Sequence, residues 1–248
     1  MSIGGEKDVI GLRRAGQTVA IVLAALRQEV RPGITTGELD ARCAELLAQR
    51  GARSAPQLFY KFPGTMCISL NDQAVHGVPG PRRIEAGDLV KLDLVIEQDG
   101  YVADAAISVA VPPVTPKTAR LTRCARQALK RSLRHIRAGR RVNEVSQAIE
   151  TEVRSHGFSV IPSLSGHGVG RAIHEEPQIP NCPTPGNHDI LREGMVIAVE
   201  PIIAAGGGEV YEEDDGWTIV TADGSWSAHH EHTMIVTRGE PILLTAAA

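Results

Sequence analysis

Aromatic side chains are scarce: three Phe, three Tyr and two Trp make up 3% of the 248 residues. That argues against a surface that holds single strands by stacking bases on rings. Charge of one sign is also lacking. The formal net charge is −3, so the chain as a whole is not built to hold a polyanion. Cysteine is limited to Cys43, Cys67, Cys124 and Cys182, with no C-x-x-C pair. Such scatter suits free thiols in a reducing compartment better than a disulfide framework. No apolar run is long enough to span a bilayer. The run from Val19 to Leu26 follows Arg13 and Arg14, but Glu6 and Asp8 sit where a signal peptide is basic, and no A-x-A site follows. A buried helix and a cytoplasmic location, without membrane contact, are the expectation. With 42% hydrophobic and 22% charged residues, the remainder reads as one ordinary globular domain over 1–248, large enough to build its own core.

Periodicity organises the chain. Between Lys7 and Glu29 the apolar residues Val9, Leu12, Val19, Val22, Leu23 and Leu26 recur at helical spacing. Arg31-Pro32-Gly33 stops that helix, and Thr35-Thr36-Gly37-Glu38 reads as a capping box for a second one, ending near Gly51. A similar phrase returns later: a long helix from about Lys117 to Arg137, then Ala138-Gly139, then a helix from about Asn143 to Gly157. Gly33 and Gly139, Glu38 and Glu144, Leu39 and Val145, and Gly51 and Gly157 share one offset. Each helix pair precedes strand-like sequence. The spacing predicts two related halves, about 7–112 and 116–238, each helix–helix–strands, with a cleft where two sheets meet. Four matched positions in similar helix caps can also coincide by chance.

Candidate ligands lie on the strands. Leu89–Ile96 is rich in branched residues, Asp99-Gly100 is a two-residue hairpin signal, and Tyr101–Val111 is the return strand. This register puts Asp93 opposite Ala106 and Asp104 two residues away on the same face. Aspartates on a hairpin are often merely solvated. Here Leu92, Leu94 and Val102 indicate a buried sheet, where two carboxylates on one face need a cation between them. His167 sits between glycines in Ser165–Gly170, and His174 follows in Ile173–Pro177. Imidazole binds first-row metals and shuttles protons. Glu200 ends the apolar run from Met195, and Glu231 opens the apolar strand of His229–Val236. Together Asp93, Asp104, His167, Glu200 and Glu231 form a mixed oxygen and nitrogen set for two divalent ions.

These residues, with His76 and His174, resemble in spacing the type I methionine aminopeptidases. So do the phrases Cys67–Asn71, His76–Pro79, Gly166–Arg171, Val199–Pro201, Asp215–Thr218 and Ser227–Thr233. The likeness runs from about Ile10 to Val236. It implies an α/β pita-bread fold, two pseudo-symmetric halves around a curved antiparallel sheet, and hydrolytic removal of the initiator methionine from nascent chains, favouring a small second residue. It also implies five ligands: Asp104 and Glu231 bridging two ions, Asp93 on one, His167 and Glu200 on the other. The metal would be Co, Mn, Fe or Zn. Glu200 would accept the proton of the attacking water, His174 would steady the oxyanion, and His76 would contact the scissile amide. Phe59, Phe62, Cys67 and Trp217 would wall the methionine pocket, although ordinary core packing accounts for such residues equally well.

The chain departs from the family pattern in places. Ile173 stands where an aromatic is usual beside the catalytic histidine, Pro180-Asn181 replaces a His-Tyr-like pair, and His229 replaces a Gln. His229 shares a strand face with Glu231 and either tunes the metal or simply hydrogen-bonds. No Cys/His-rich zinc module is present, and no long insertion separates His174 from Glu200, which favours the short bacterial form. The sequence between Lys117 and Arg141 has ten Lys/Arg and no Asp or Glu. Its face through Arg120, Arg123, Lys130, Arg134, Arg137 and Arg141 is expected either to meet ribosomal RNA or to be solvated. The acidic run Glu209–Asp215 reads as a solvated loop. A monomer is expected. A proline-directed peptidase would carry a large N-terminal domain, a metal-free binding module would have lost ligands, and a metal store would not need His76 and His174.

Overall fold

In the computed structural model, residues 1–246 are described. Helix α1 spans Glu6–Glu29, with Glu6 and Asp8 in its first turn and Arg27 in its last, as the helix dipole favours. By length and composition it could cross a membrane. In the fold it is a core helix, with Leu12, Val19, Val22 and Leu26 fully buried. Helix α2 (Thr36–Ala48) starts at the expected box: Glu38 N–H donates to Thr35 Oγ1 at 3.1 Å, and Thr35 N–H donates to Glu38 Oε2 at 2.7 Å. A short α3 (Ala55–Tyr60) is capped by Ser54. Helix α4 spans Pro116–Ser132 and passes into a single 3₁₀ turn at Leu133–His135. It stops short of Arg137 because Ile136 turns to extended backbone and enters the core. Helix α5 spans Val142–Ser155, and Glu144 accepts from Arg141 N–H at 3.2 Å.

The matched glycines share a conformation. Gly33 and Gly139 have φ of 93° and 88°, and Gly51 and Gly157 have 64° and 75°, values that a β-carbon disfavours. Gly33 N–H donates to Ile84 O and Gly139 N–H to Leu191 O, both at 2.8 Å. Gly87 and Gly194 follow with φ of 96° and 82°. Asp93 and Glu200 each stand six residues beyond those glycines.

The long hairpin has the expected register. Leu89–Gln98 pairs with Tyr101–Ala110 so that Gln98 faces Tyr101, Asp93 faces Ala106 and Val95 faces Asp104. The turn residues Asp99 and Gly100 have φ of 53° and 82°, the left-handed pair of a type I′ turn. Cys67–Leu70 and Arg53–Ser54 also pair with Leu89–Gln98. In the second half, one sheet runs Ile242–Leu243, His232–Ile235, Val196–Val199, Ser165–Gly168, Glu175–Pro180, all antiparallel. Two three-stranded sheets complete the array: Ser227–His229, Ile202–Ala204, Ser159–Val160, and Val210–Glu212, Ile219–Thr221, Gln73–Val75. One apolar cluster joins α1 and α2 to the first sheet, and another joins α4 and α5 to the second half.

Two hydroxyls sew the halves together. Thr233 Oγ1 accepts from Asp104 N–H at 2.9 Å and donates to Asp104 O at 2.7 Å. Ser108 Oγ accepts from His229 N–H at 2.9 Å and donates to His229 O at 2.8 Å. Between them Glu231 N–H donates to Ala106 O at 3.0 Å. These bonds bring the strand ends carrying Asp104 and Glu231 side by side. Behind them Lys91 is fully buried, and its Nζ donates to Asn71 O at 2.7 Å. Ser227 N–H donates to the same carbonyl, so the turn ahead of His76 is tied to both halves.

Candidate metal centre

Each half contributes carboxylates to one cavity of about 260 Å³, bordered by Asp93, Asp104, His167, Glu200 and Glu231. Atoms of Asp104, His167 and Glu231 lie within 4.8 Å of one another. His167 Nε2 is 3.9 Å from Asp104 Oδ2 and 3.5 Å from Glu200 Oε1. His76 and His174 border the same cavity. All seven predicted chemical residues therefore share one site.

The local sequence explains the placement. Leu89–Gln98 and Tyr101–Ala110 are buried on both faces, so Asp104 is only 4% exposed. His167 is held in a narrow channel of backbone: a β-carbon on Gly166 would run into Ala198 O, and one on Gly168 into Glu176 O. His167 Nδ1 lies 2.9 Å from Gly168 O. A proton on Nδ1 then donates to that carbonyl and leaves the Nε2 lone pair facing the carboxylates. Burial, with His174 nearby, pushes His167 down to about 4, so the ring is neutral at neutral pH. Asn181 Nδ2 supports Glu200 from behind, donating to its carbonyl at 3.0 Å.

Electrostatics then poses a problem that a cation solves. Burial raises the carboxyls of Asp93, Asp104, Glu200 and Glu231, and their neighbours' negative charges raise all but Asp93 further. No Lys or Arg borders the cavity among the described residues. Asp104 Oδ1 and Glu231 Oε1 are buried without a hydrogen-bond partner. Buried charge without a partner is strongly unfavourable. Hard oxygens plus a neutral imidazole, with oxygen atoms left over, are the donor set of a divalent first-row ion. The residues present fit such a group.

Comparison with known proteins agrees. The model of metallopeptidase family M24 matches residues 11–238. The chain belongs to metallopeptidase family M24. It is 38% identical to methionine aminopeptidase 2 of Bacillus subtilis over 99% of both chains, and 37% identical to the methionine aminopeptidase of Clostridium perfringens over 97% and 96%. The crystal structure of methionine aminopeptidase from Thermotoga maritima superposes with a TM-score of 0.96, at 35% identity and full coverage of both. Prolidase from Pyrococcus furiosus shares the fold alone, at 23% identity and a TM-score of 0.81.

The rest of this M24 cavity is apolar. Phe62, Cys67, Ile173 and Trp217 line it. Trp217 meets Phe62 edge-on, with centroids 5.2 Å apart. Asp215 Oδ1 fixes the turn before Trp217 by accepting from Trp217 N–H and Thr218 N–H, both at 2.8 Å. Asp215 is thus a structural member of the acidic run, which is exposed as expected, although Val210–Glu212 within it is a strand rather than a loop. Phe59 does not reach the cavity. The next residue of α3, Tyr60, borders it instead. One helical step turns the side chain by about 100°, enough to aim the neighbouring ring away from the cavity.

Tyr60 is the residue the sequence did not single out. Its hydroxyl lies 2.8 Å from His174 Nδ1, and the two rings stack with centroids 5.7 Å apart. The only local signal was the aromatic pair Phe59-Tyr60 itself. His229 is fully enclosed, with Nε2 3.7 Å from both Glu200 Oε2 and Glu231 Oε2 and no hydrogen bond to its ring. A larger outer cleft, about 600 Å³, opens beside the cavity and shares His76, Asp93, His167, His174 and Glu200 with it.

Proposed function

We propose that this chain cleaves methionine from the N-termini of new polypeptides that carry a small second residue, using divalent ions held by Asp93, Asp104, His167, Glu200 and Glu231. The observation that carries this reading is the gathering of four unneutralised carboxyls and a neutral histidine beside a small pocket with apolar walls. Metal ions bound there would polarise the substrate carbonyl and make a water acidic near neutrality. We assign two ions, which these five residues would hold; their identity is left to measurement.

The chain's own groups do the remaining work. Phe62, Cys67, Ile173 and Trp217 would take the thioether side chain, which suits soft apolar walls. A free α-amine would sit on the Asp93 side, which restricts cleavage to chain ends. Glu200 would accept the proton of the attacking water at a carboxylate oxygen. His174 would donate from Nε2 to the developing oxyanion, with Tyr60 O–H donating to Nδ1 to hold that tautomer. His76, whose backbone is held at φ 57°, would contact the scissile amide and help the amine leave.

The matched glycines and helix caps support reading 7–112 and 116–238 as halves of one catalytic domain. We place the enzyme in the cytoplasm as a monomer. We also assign the exposed part of the basic stretch 117–141 to ribosomal RNA, centred on Lys130 and Arg134. Arg120 and Arg131 are already engaged with His156 O and Glu152. Co-sedimentation with ribosomes should weaken in Lys130→Glu/Arg134→Glu, and an unchanged pellet refutes that assignment. The central test is metal analysis alongside hydrolysis of Met-Ala-Ser and a Leu-first control. Metal-dependent release of Met alone is expected; equal release of Leu, or activity untouched by chelation, overturns the reading.

A further inference from the structure

The rear of the sheet carries the opposite chemistry from the cleft. A second cavity, about 540 Å³, lies between α1, α4 and the strands 101–110 and 227–235. Arg27 of α1 and Arg123 and Arg126 of α4 border it, with His230 and His232. Among the described residues, none of these three arginines pairs with a carboxylate or donates a side-chain hydrogen bond; the ion pairs formed nearby use Arg131 instead. Glu231 also borders this cavity, but its carboxylate lies with Asp104 and His167. His230 Nε2 is closed off from solvent and has no hydrogen-bond partner. Three guanidiniums from two helices border one concavity with no carboxylate partner, an arrangement that favours an anion among them. The chain spends no carboxylate on neutralising them, although acidic residues are plentiful elsewhere.

We propose that this rear cavity is a binding site for a compact phosphoryl anion, such as a phosphate or pyrophosphate group, held by Arg27, Arg123 and Arg126. Guanidinium forks match phosphoryl oxygens two at a time. The enclosing strands and helices limit the ligand to something compact. The site is separate from the catalytic cleft, since strand 101–110 and residues 229–231 form the wall between them. It does not rest on the peptidase reading.

Titration calorimetry of the metal-loaded protein with pyrophosphate tests this, with inorganic phosphate and a single-stranded oligoribonucleotide as parallel arms. Saturable pyrophosphate binding is expected in the parent and weakened at least tenfold, about 1.4 kcal/mol, in Arg126→Ala and, independently, in Arg27→Gln. Hydrolysis of Met-Ala-Ser should be unchanged in both, because neither residue touches the cleft. Both positions are exposed on helices, so the variants should fold, and a matching thermal unfolding curve verifies it. A third variant, Arg137→Ala, outside the cavity, should bind like the parent. Binding that survives both substitutions and vanishes on chelation places the anion at the metal centre and overturns the proposal. So does binding of the oligoribonucleotide alone, which marks an open basic surface, or no binding of either phosphate.

Discussion

The two halves deliver carboxylates to the cleft by different routes. In the first half, Asp93 and Asp104 come from one hairpin, closed by a two-residue turn. In the second half, Glu200 and Glu231 come from strand ends separated by a long excursion through 202–229, which includes the turn that carries Trp217. The first half is a local device whose geometry follows from strand period and turn type. The second depends on long-range pairing. The longer glutamates of that half reach the same cavity as the aspartates of the first. Its extra loop brings Trp217 to the pocket wall, where it joins Phe62 and Cys67 of the first half.

The sharpest way to break this comparison is to remove one carboxylate from each half. Asp104→Ala and Glu231→Ala should each lower kcat/KM by more than about 100-fold, since loss of supporting partners alone costs 10–100-fold at metal sites, and both should lose bound metal by elemental analysis. Retained metal in either would show that half to be dispensable. Next comes His174→Ala, which should reduce kcat by about 10²–10³, the usual effect of losing an oxyanion donor, with metal content unaltered. Should metal disappear too, His174 is a ligand and its assigned role is wrong.

The seam between halves gives a stability contrast. Thr233→Val strips the partners from the N–H and carbonyl of Asp104, and Ser108→Ala does so for His229. Urea unfolding should register about 1–3 kcal/mol of loss for each group left bare. Only Thr233→Val should also weaken metal binding, because Asp104 is a proposed ligand; equal metal affinities in the two variants would contradict that.

A pH test addresses the carboxyls together. In metal-free protein their folded pKa values are raised, that of Asp93 to about 7. Unfolded carboxyls are already ionised above pH 5, so the folded state holds more protons, and stability falls as pH rises through the folded pKa. His167 and His229, pushed down to about 4 and 3 mainly by burial, stay neutral between pH 7 and 8. Asp104, Glu200 and Glu231 are raised further, well above the ordinary carboxylate range, so their protons leave as pH rises and the unfolding midpoint falls with them. Calorimetry of chelated protein should show that fall across pH 7–8, and metal-loaded protein should not; a flat profile for the chelated form would disprove the uncompensated charge. The smallest effect is expected from Tyr60→Phe, a few-fold drop in kcat with KM nearly constant. A change confined to KM would make Tyr60 a pocket residue rather than one that orients His174.

The amino-acid sequence by itself determined the elements and much of the chemistry. The capping box at Thr35, the stop at Gly33, the turn at Asp99-Gly100 and the shared face of Asp93 and Asp104 all follow from interactions within a few residues or one hairpin, where backbone sterics and side-chain period leave little choice. The motifs carried the five ligand candidates and the two added histidines. Only the tertiary structure decided that Tyr60, not Phe59, faces the cavity, that Thr233 and Ser108 clamp the seam, that Lys91 lies buried on Asn71 O, and that Arg27 and Arg126 border one cavity behind the sheet. Those outcomes depend on how helices rotate and sheets abut across a hundred residues of chain, and packing over such distances is fixed by the whole core rather than by any local pattern.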